Sequence, residues 1–261
     1  MALLIPFRAL RPTPASAARV AAVPYDVVNA EEAKALAAGN PLSFLHVSRA
    51  EIDLPADTNP YSDTVYARAA ENFTRLRGEA PLVVEEAPSL YVYRLRMGAH
   101  EQTGIAATFS VDEYDRDIIK KHERTRRDKE DDRTRHILEL RAQTGPVFLT
   151  HGASAGVDTV VKKTIGTAPL FDLTAADKVQ HTIWRVDPAD EQALVAAFAR
   201  IPALYIADGH HRAASAARVR QQLRGANGAA GEWDTFLAVR SEVHTSELPS
   251  RLHLVCRLLL E

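Results

Sequence analysis

The sequence predicts a mixed α/β (α+β) fold, on three observations. Short apolar runs of strand length recur along the chain, bounded by Gly, Pro, Asn or Asp. Between several of them lie segments with helical apolar spacing and capping residues at their starts. The composition is that of a globular chain, 46% apolar and 25% charged over 261 residues, enough to bury a core. Element order alone leaves the sheet topology open.

Leu3 to Leu10 reads as a first strand, closed by Arg11-Pro12. Pro24 holds Val23 extended, so Val20 to Val28 is a stretched segment. Asn29 caps a helix over 31–38, which Gly39 ends. Asn59-Pro60 opens a longer helix, with Val65, Ala69, Phe73 and Leu76 on one face. Leu82 to Val84, Leu90 to Tyr93 and Ile105 to Val111 read as strands. The charge-dense stretch 112–141 is expected to include a mobile loop and then a helix from Asp128. Its acidic residues stand three or four positions before arginines, and much of it is expected to be a solvated face. Pro146 to Thr150 and Val179 to Val186 are further strands, and Asp187-Pro188 starts a helix over 189–200. A strand ends at Asp208, a helix-forming run extends from Ala213 to Leu223, and Phe236 to Val239 begins one more strand.

Several function classes are disfavoured. A net charge of −2 argues against a general nucleic-acid binder. The single cysteine, Cys256, supports neither disulfides nor a zinc cluster nor cysteine catalysis. No apolar run has the length of a membrane span, and Pro6 cuts short Leu3-Leu4-Ile5, so a cytoplasmic protein without membrane contact is expected. Phosphate-loop, dinucleotide and His-Glu-x-x-His motifs are absent, and Ser154 and Ser215 lack a nucleophile elbow.

The segment Asp208-Gly209-His210-His211-Arg212 carries the most chemistry. It sits where an apolar strand turns into a helix, and the first helical turn has unpaired N–H groups that attract phosphate. Arg212, His210 and His211 add donors, Gly209 allows close approach, and Asp208 can hold Mg²⁺. The alternative is a turn with Asp208 as helix cap and two surface histidines. Adjacent histidines diverge, so a metal cage from this segment alone is not expected. His122-Glu123 follows the apolar pair Ile118-Ile119 and precedes the charged helix. A carboxylate there can accept a proton from a substrate hydroxyl. Tyr25, Asp26 and His122 are candidates for a substrate pocket, although Tyr25-Asp26 also reads as an ordinary turn.

Five motifs then form an ordered set: Leu3 to Pro12, Val-Pro-Tyr-Asp-Val at 23–27, Lys-His-Glu-Arg-Thr at 121–125, Gln-Thr-Gly-Pro-Val at 143–147 and Asp-Gly-His-His-Arg at 208–212. Together they resemble the bacterial and archaeal domain-of-unknown-function family 1015, over residues 3–239. Asp-Gly-His-His-Arg preceded by His-Glu-x-Thr is also similar to the free-serine kinases of the ParB/sulfiredoxin-like fold. That second resemblance implies Glu123 as the base on the serine hydroxyl and Asp208 as organiser of metal or phosphate. It implies His210, His211 and Arg212 as a phosphate clamp. The two motifs stand much farther apart here than in those compact kinases.

From Arg240 the chain resembles the translation of a DNA-sequencing adapter, departing from it at Val243 and Pro249. On that resemblance, 240–261 is a non-native tail that packs outside the core. The alternative is an ordinary amphipathic C-terminal segment. The expected organisation is an N-terminal α/β part over 3–111, a ParB/sulfiredoxin-like phosphate-binding part over 112–239, truncated at its end, and the tail. The expected function is a nucleotide-dependent phosphotransferase acting on a small hydroxyl compound, with Mg²⁺ and ATP or ADP. The alternatives are a non-catalytic nucleotide-binding module and a metal-dependent phosphohydrolase. The expected partners are a nucleotide and a small-molecule substrate.

Overall fold

Strands that carry apolar residues on both faces build the centre of the molecule. A computed structural model describes residues 4–79, 82–227, 229–242 and 257–259. Its strands are β1 (Ala9–Pro12), β2 (Leu82–Val84), β3 (Tyr91–Met97), β4 (His100–Ser110), β5 (Ile119–Lys120), β6 (Ala142–Gln143), β7 (Val147–His151), β8 (Phe171–Thr174), β9 (Gln180–Arg185), β10 (Leu204–Asp208), β11 (Thr235–Glu242) and β12 (Arg257–Leu259). Its α-helices are α1 (Pro14–Val20), α2 (Ala30–Ala37), α3 (Leu45–Ser48), α4 (Asp63–Glu79), α5 (Val111–Asp115), α6 (Arg127–Leu140), α7 (Ala155–Ile165), α8 (Pro188–Phe198) and α9 (His210–Asn227). The fold is mixed α/β, as the composition and spacing predict.

The main sheet has eight strands in the order β5-β10-β7-β11-β4-β3-β9-β8. The β5–β10 and β7–β11 pairs are parallel, and the other neighbours are antiparallel. Val92, Ile105, Phe109, Leu149 and Phe236 pack on one face against Val157, Leu194 and Phe198 of α7 and α8. Their chain neighbours Tyr91, Tyr93, Phe148, Leu237 and Val239 pack on the other face with Ile137 of α6 and Val219 of α9. Burial on both faces explains why these strands read as continuous apolar runs. A smaller cluster joins Val47, Val65, Ala69, Phe73 and Leu76 to Leu140 at the end of α6. It sits beside a four-stranded sheet, β2-β1-β12-β6.

Local signals account for several boundaries. Asn29 and Glu32 form a reciprocal capping box at the start of α2. Asp187 caps α8, with Pro188 at its first position. The first strand is shorter than the expected Leu3–Leu10. Ile5 and Phe7 make only single bridges, to Thr108 and Ser89, before β1 begins.

Three expectations change. Asp132, Thr134 and His136 are buried, so this part of α6 is an interface and not a solvated face. The main sheet takes β3 and β4 from one side of the expected boundary at 111/112 and the other six strands from the far side. Arg240, Ser241 and Glu242 do not belong to a detached tail. They extend β11 between β4 and β7, with Arg240 opposite Ile105 and Leu149. Farther on, the backbone of Arg257–Leu259 pairs with β1 and β6. Leu254 and Val255 lie outside the described residues. No helix among the described residues is long and apolar enough to cross a membrane.

Candidate phosphate-binding turn and adjoining cavity

β10 delivers the Asp208 segment to one end of the sheet. Asp208 is still paired with Phe148 of β7, across an irregularity that starts at Ile206. Gly209 then takes φ +88°, a left-handed conformation that a side chain would strain. The Ala213 N–H donates to the Gly209 carbonyl at 3.0 Å, closing the first turn of α9. His210, His211 and Arg212 are therefore the first helical residues, where the sequence had placed them before the helix. Their N–H groups have no acceptor within the helix. Gly209, at the N-cap, has no side-chain oxygen to cover them. The capped-turn alternative does not describe this geometry, because the Asp208 carboxylate turns to Arg212 at 2.7 Å.

Arg212 is held by protein oxygens. Its guanidinium meets Asp208 at 2.7 Å and Asp26 at 3.3 Å, and it also donates to the Pro146 carbonyl. Burial disfavours its charge, but Asp26 and Asp208 more than offset this and hold its pKa above the ordinary arginine value. Two glycines make room for it. A Cβ on Gly209 would lie 3.2 Å from Cζ, and one on Gly145 would lie 3.2 Å from Cδ. In place of the free phosphate clamp expected from sequence, Arg212 orients two carboxylates. Asp26 and Asp208 are partly exposed, and two hard carboxylates brought together suit Mg²⁺ chemistry.

Glu123 reaches this turn through strand pairing. β5 runs parallel to β10, with Ile119 opposite Leu204 and Lys120 opposite Tyr205. The segments that follow both strands leave the sheet at the same end, where open α/β sheets place their ligands. Glu123 Oε2 lies 3.3 Å from His210 Nδ1, although the two are far apart in the chain. His122 Nε2 lies 3.9 Å from Glu123 Oε1, and its ring meets that of His210 edge-on at 4.5 Å. The Glu123 side chain is 63% exposed, whereas that of His210 is 4% exposed. Burial pushes the His210 pKa down, against the pull of Glu123, so the ring favours its neutral form. His211 Nε2 accepts from the Arg126 N–H at 3.0 Å. In the neutral ring its Nδ1 then carries the proton.

Beside the turn opens a cavity of about 920 Å³, whose wall includes Tyr25, Asp26, Val47, Tyr66, Arg133 and His211. Tyr25 and Asp26, two of the three pocket candidates, line this cavity. His122 does not: it lies off the cavity wall, against His210. Sequence reasoning missed α6 as the polar side of this cavity. Arg133 covers the Tyr25 ring at 4.0 Å and pairs with Asp132 at 2.7 Å. Asp132 also accepts from the Tyr66 hydroxyl at 2.8 Å. Burial raises the Tyr25 pKa although Arg133 pulls it back. His136 Nε2 lies 3.1 Å from the Val47 carbonyl, and burial pushes its pKa down to about 3. The signal was available: Lys129, Asp132, Arg133 and His136 recur at the spacing of one helix face.

No curated protein and no solved structure matches the chain. A family match spans residues 4–249 and so continues past the expected start of the tail at 240. With nearly the whole chain matched, the protein belongs to the family described as Protein of unknown function (DUF1015).

Proposed function

We propose that this protein is a nucleotide-dependent phosphotransferase that phosphorylates a small hydroxyl compound, with free L-serine to O-phosphoserine as the leading reaction. One observation carries the reading. An uncapped helix start, suited to phosphate, stands beside an exposed carboxylate at the same sheet end, with 3.3 Å between Glu123 and His210. The ParB/sulfiredoxin-like likeness rests on the motifs. A cytoplasmic setting, where nucleotide is at hand, suits the reaction.

In this reading the N–H groups of His210, His211 and Arg212 bind phosphate oxygens and take up charge as it develops. Neutral His210 lines the approach, and Arg212 fixes Asp26 and Asp208 in place. Mg²⁺, when bound by those carboxylates, neutralises phosphate charge. The cavity beyond Tyr25 and His211 holds the organic part of a ligand. Glu123 takes the proton of the acceptor hydroxyl. The acceptor oxygen forms the new P–O bond, and the nucleotide leaves with the electron pair of the broken one.

The test is phosphoserine formation, followed by mass spectrometry, with ATP or ADP as donor and a panel of hydroxy amino acids as acceptors. Glu123→Gln should lower turnover by about 10²–10⁴-fold, the usual share of a positioned base. It should leave nucleotide-induced thermal stabilisation intact. Stabilisation by nucleotide without product from any acceptor would identify a regulatory binding module. No stabilisation by any nucleotide would overturn the phosphate-site reading.

A further inference from the structure

We infer that His122, Glu123 and His210 form a binding site for a divalent ion of the zinc class, separate from the hard carboxylate pair Asp26 and Asp208. Each of the three offers one ligand atom, and these atoms lie within 4.8 Å of one another. The separations lie near those between the ligands of a small tetrahedral ion. His210 Nδ1 to Glu123 Oε2 is 3.3 Å and His122 Nε2 to Glu123 Oε1 is 3.9 Å. Ligand bonds of about 2.0–2.1 Å at tetrahedral angles put neighbouring donors roughly 3.3 Å apart.

The buried ring supplies a second, independent observation. His210 is 4% exposed, and its Nε2 has no hydrogen-bond partner among the described residues. If Nδ1 carries the proton, it faces Glu123 and leaves a bare lone pair buried at Nε2. If Nε2 carries the proton, the Nδ1 lone pair points at a carboxylate, which repels it. A cation between Nδ1 and the carboxylate turns that repulsion into two bonds.

The ligand set also selects the ion. Two imidazoles and one carboxylate suit zinc, cobalt or nickel, whereas Mg²⁺ prefers oxygen throughout. Three protein ligands leave a fourth position open to water or a ligand. His210 is fixed by the first turn of α9, while the His122 and Glu123 side chains are 59% and 63% exposed and can close on an ion. The site stands on this geometry. Its consequence for turnover rests on the proposed function: an ion on the Glu123 carboxylate removes the proton acceptor, so zinc inhibits while Mg²⁺ supports the reaction.

The test uses the full chain after chelator treatment, titrated with zinc chloride in the absence of nucleotide by calorimetry. Cobalt(II) supplies an optical readout, because low-coordinate sites give intense visible bands. One equivalent should bind. His122→Ala should weaken binding by at least about 10–100-fold, the loss seen even for partners one shell removed from a metal. Its exposed position leaves the circular dichroism and melting temperature unchanged. Glu123→Gln should weaken binding as well and keep the fold. No binding by the wild type, or equal binding by the wild type and His122→Ala, would overturn the site. Zinc binding without phosphotransfer would leave the site standing and remove only the inhibition. Phosphotransfer without zinc binding would overturn the site and its inhibition and leave the proposed function standing.

Discussion

Replacing Arg240 with leucine should stabilise this protein. Arg240 is 1% exposed within β11, and none of its three guanidinium nitrogens has a hydrogen-bond partner among the described residues. Among the described residues it is compensated by the Phe198 ring, 3.6 Å from Cζ, and by the charge of Glu242. Burial pushes its pKa from the ordinary arginine value down to about 8. A fall of that order corresponds to several kcal/mol (~4–6) of unfavourable charge burial. Loss of the ring contact offsets about 2 kcal/mol. A net gain of about 2–4 kcal/mol is expected. Urea unfolding at neutral pH measures it by linear extrapolation. The pH dependence gives a second check. The unfolded guanidinium keeps its proton up to the ordinary arginine range, and the folded one, desolvated by burial, begins to lose it near 8. Between these values the unfolded state binds more protons, so wild-type stability rises with pH there. The leucine variant loses that rise. A variant no more stable than wild type at neutral pH, with the same alkaline slope, would refute the reasoning.

The remaining predictions concern the turn and its supports. Gly209→Ala should lower stability by about 1–3 kcal/mol, since φ is +88° and the new methyl would crowd Arg212 and Val147 at 3.2–3.3 Å; an unchanged melting temperature would contradict this. Arg212→Ala should lower stability by about 1–3 kcal/mol, because the partly exposed Asp26 and Asp208 lose their common donor, and should weaken ADP binding in the presence of Mg²⁺ only through the lost positioning of those carboxylates; a thermal-shift series with and without ADP separates the two. His136 and His151 are pushed down to about 3 and about 4, so their unfolded forms take up protons first as pH falls below 6.5. Each should withdraw about 2 kcal/mol of stability between pH 6.5 and 5, and a flat stability profile over that range would show that neither ring is held neutral. Asn29→Ala should cost about 1 kcal/mol through loss of the capping box, measured by urea unfolding.

Strong local chemistry was legible in the sequence. Asn29 and Asp187 marked helix starts because capping is a contact between near neighbours. The turn at Asp208 was legible because strand, glycine and helix follow one another directly. The start of α9 was placed late, since two histidines and an arginine do not look like helix interior until Gly209 supplies the left-handed turn. β5 escaped notice because two residues carry no periodicity, and yet its pairing brings Glu123 to the site. α6 was misjudged for another reason. Charge pattern alone does not distinguish a helix facing water from one facing a polar cavity, and the deciding partners, Tyr25, Val47 and Tyr66, come from distant segments.

The pairing of β5 with β10 divides the site into two halves of unequal firmness. β10 is flanked on both sides, so the Asp208–Arg212 turn inherits the rigidity of the sheet interior. Glu123 is tied to it through an edge ladder of two residue pairs, Leu204 with Ile119 and Tyr205 with Lys120. A slip of one residue there would present His122 or Arg124 where the carboxylate now stands, and an imidazole or a fixed cation is a different reagent. Under the proposed function, substitutions at Ile118, Ile119 and Lys120 would therefore act as rate dials: they would shift how often the Glu123 carboxylate is in register and leave the turn at Asp208 as it was.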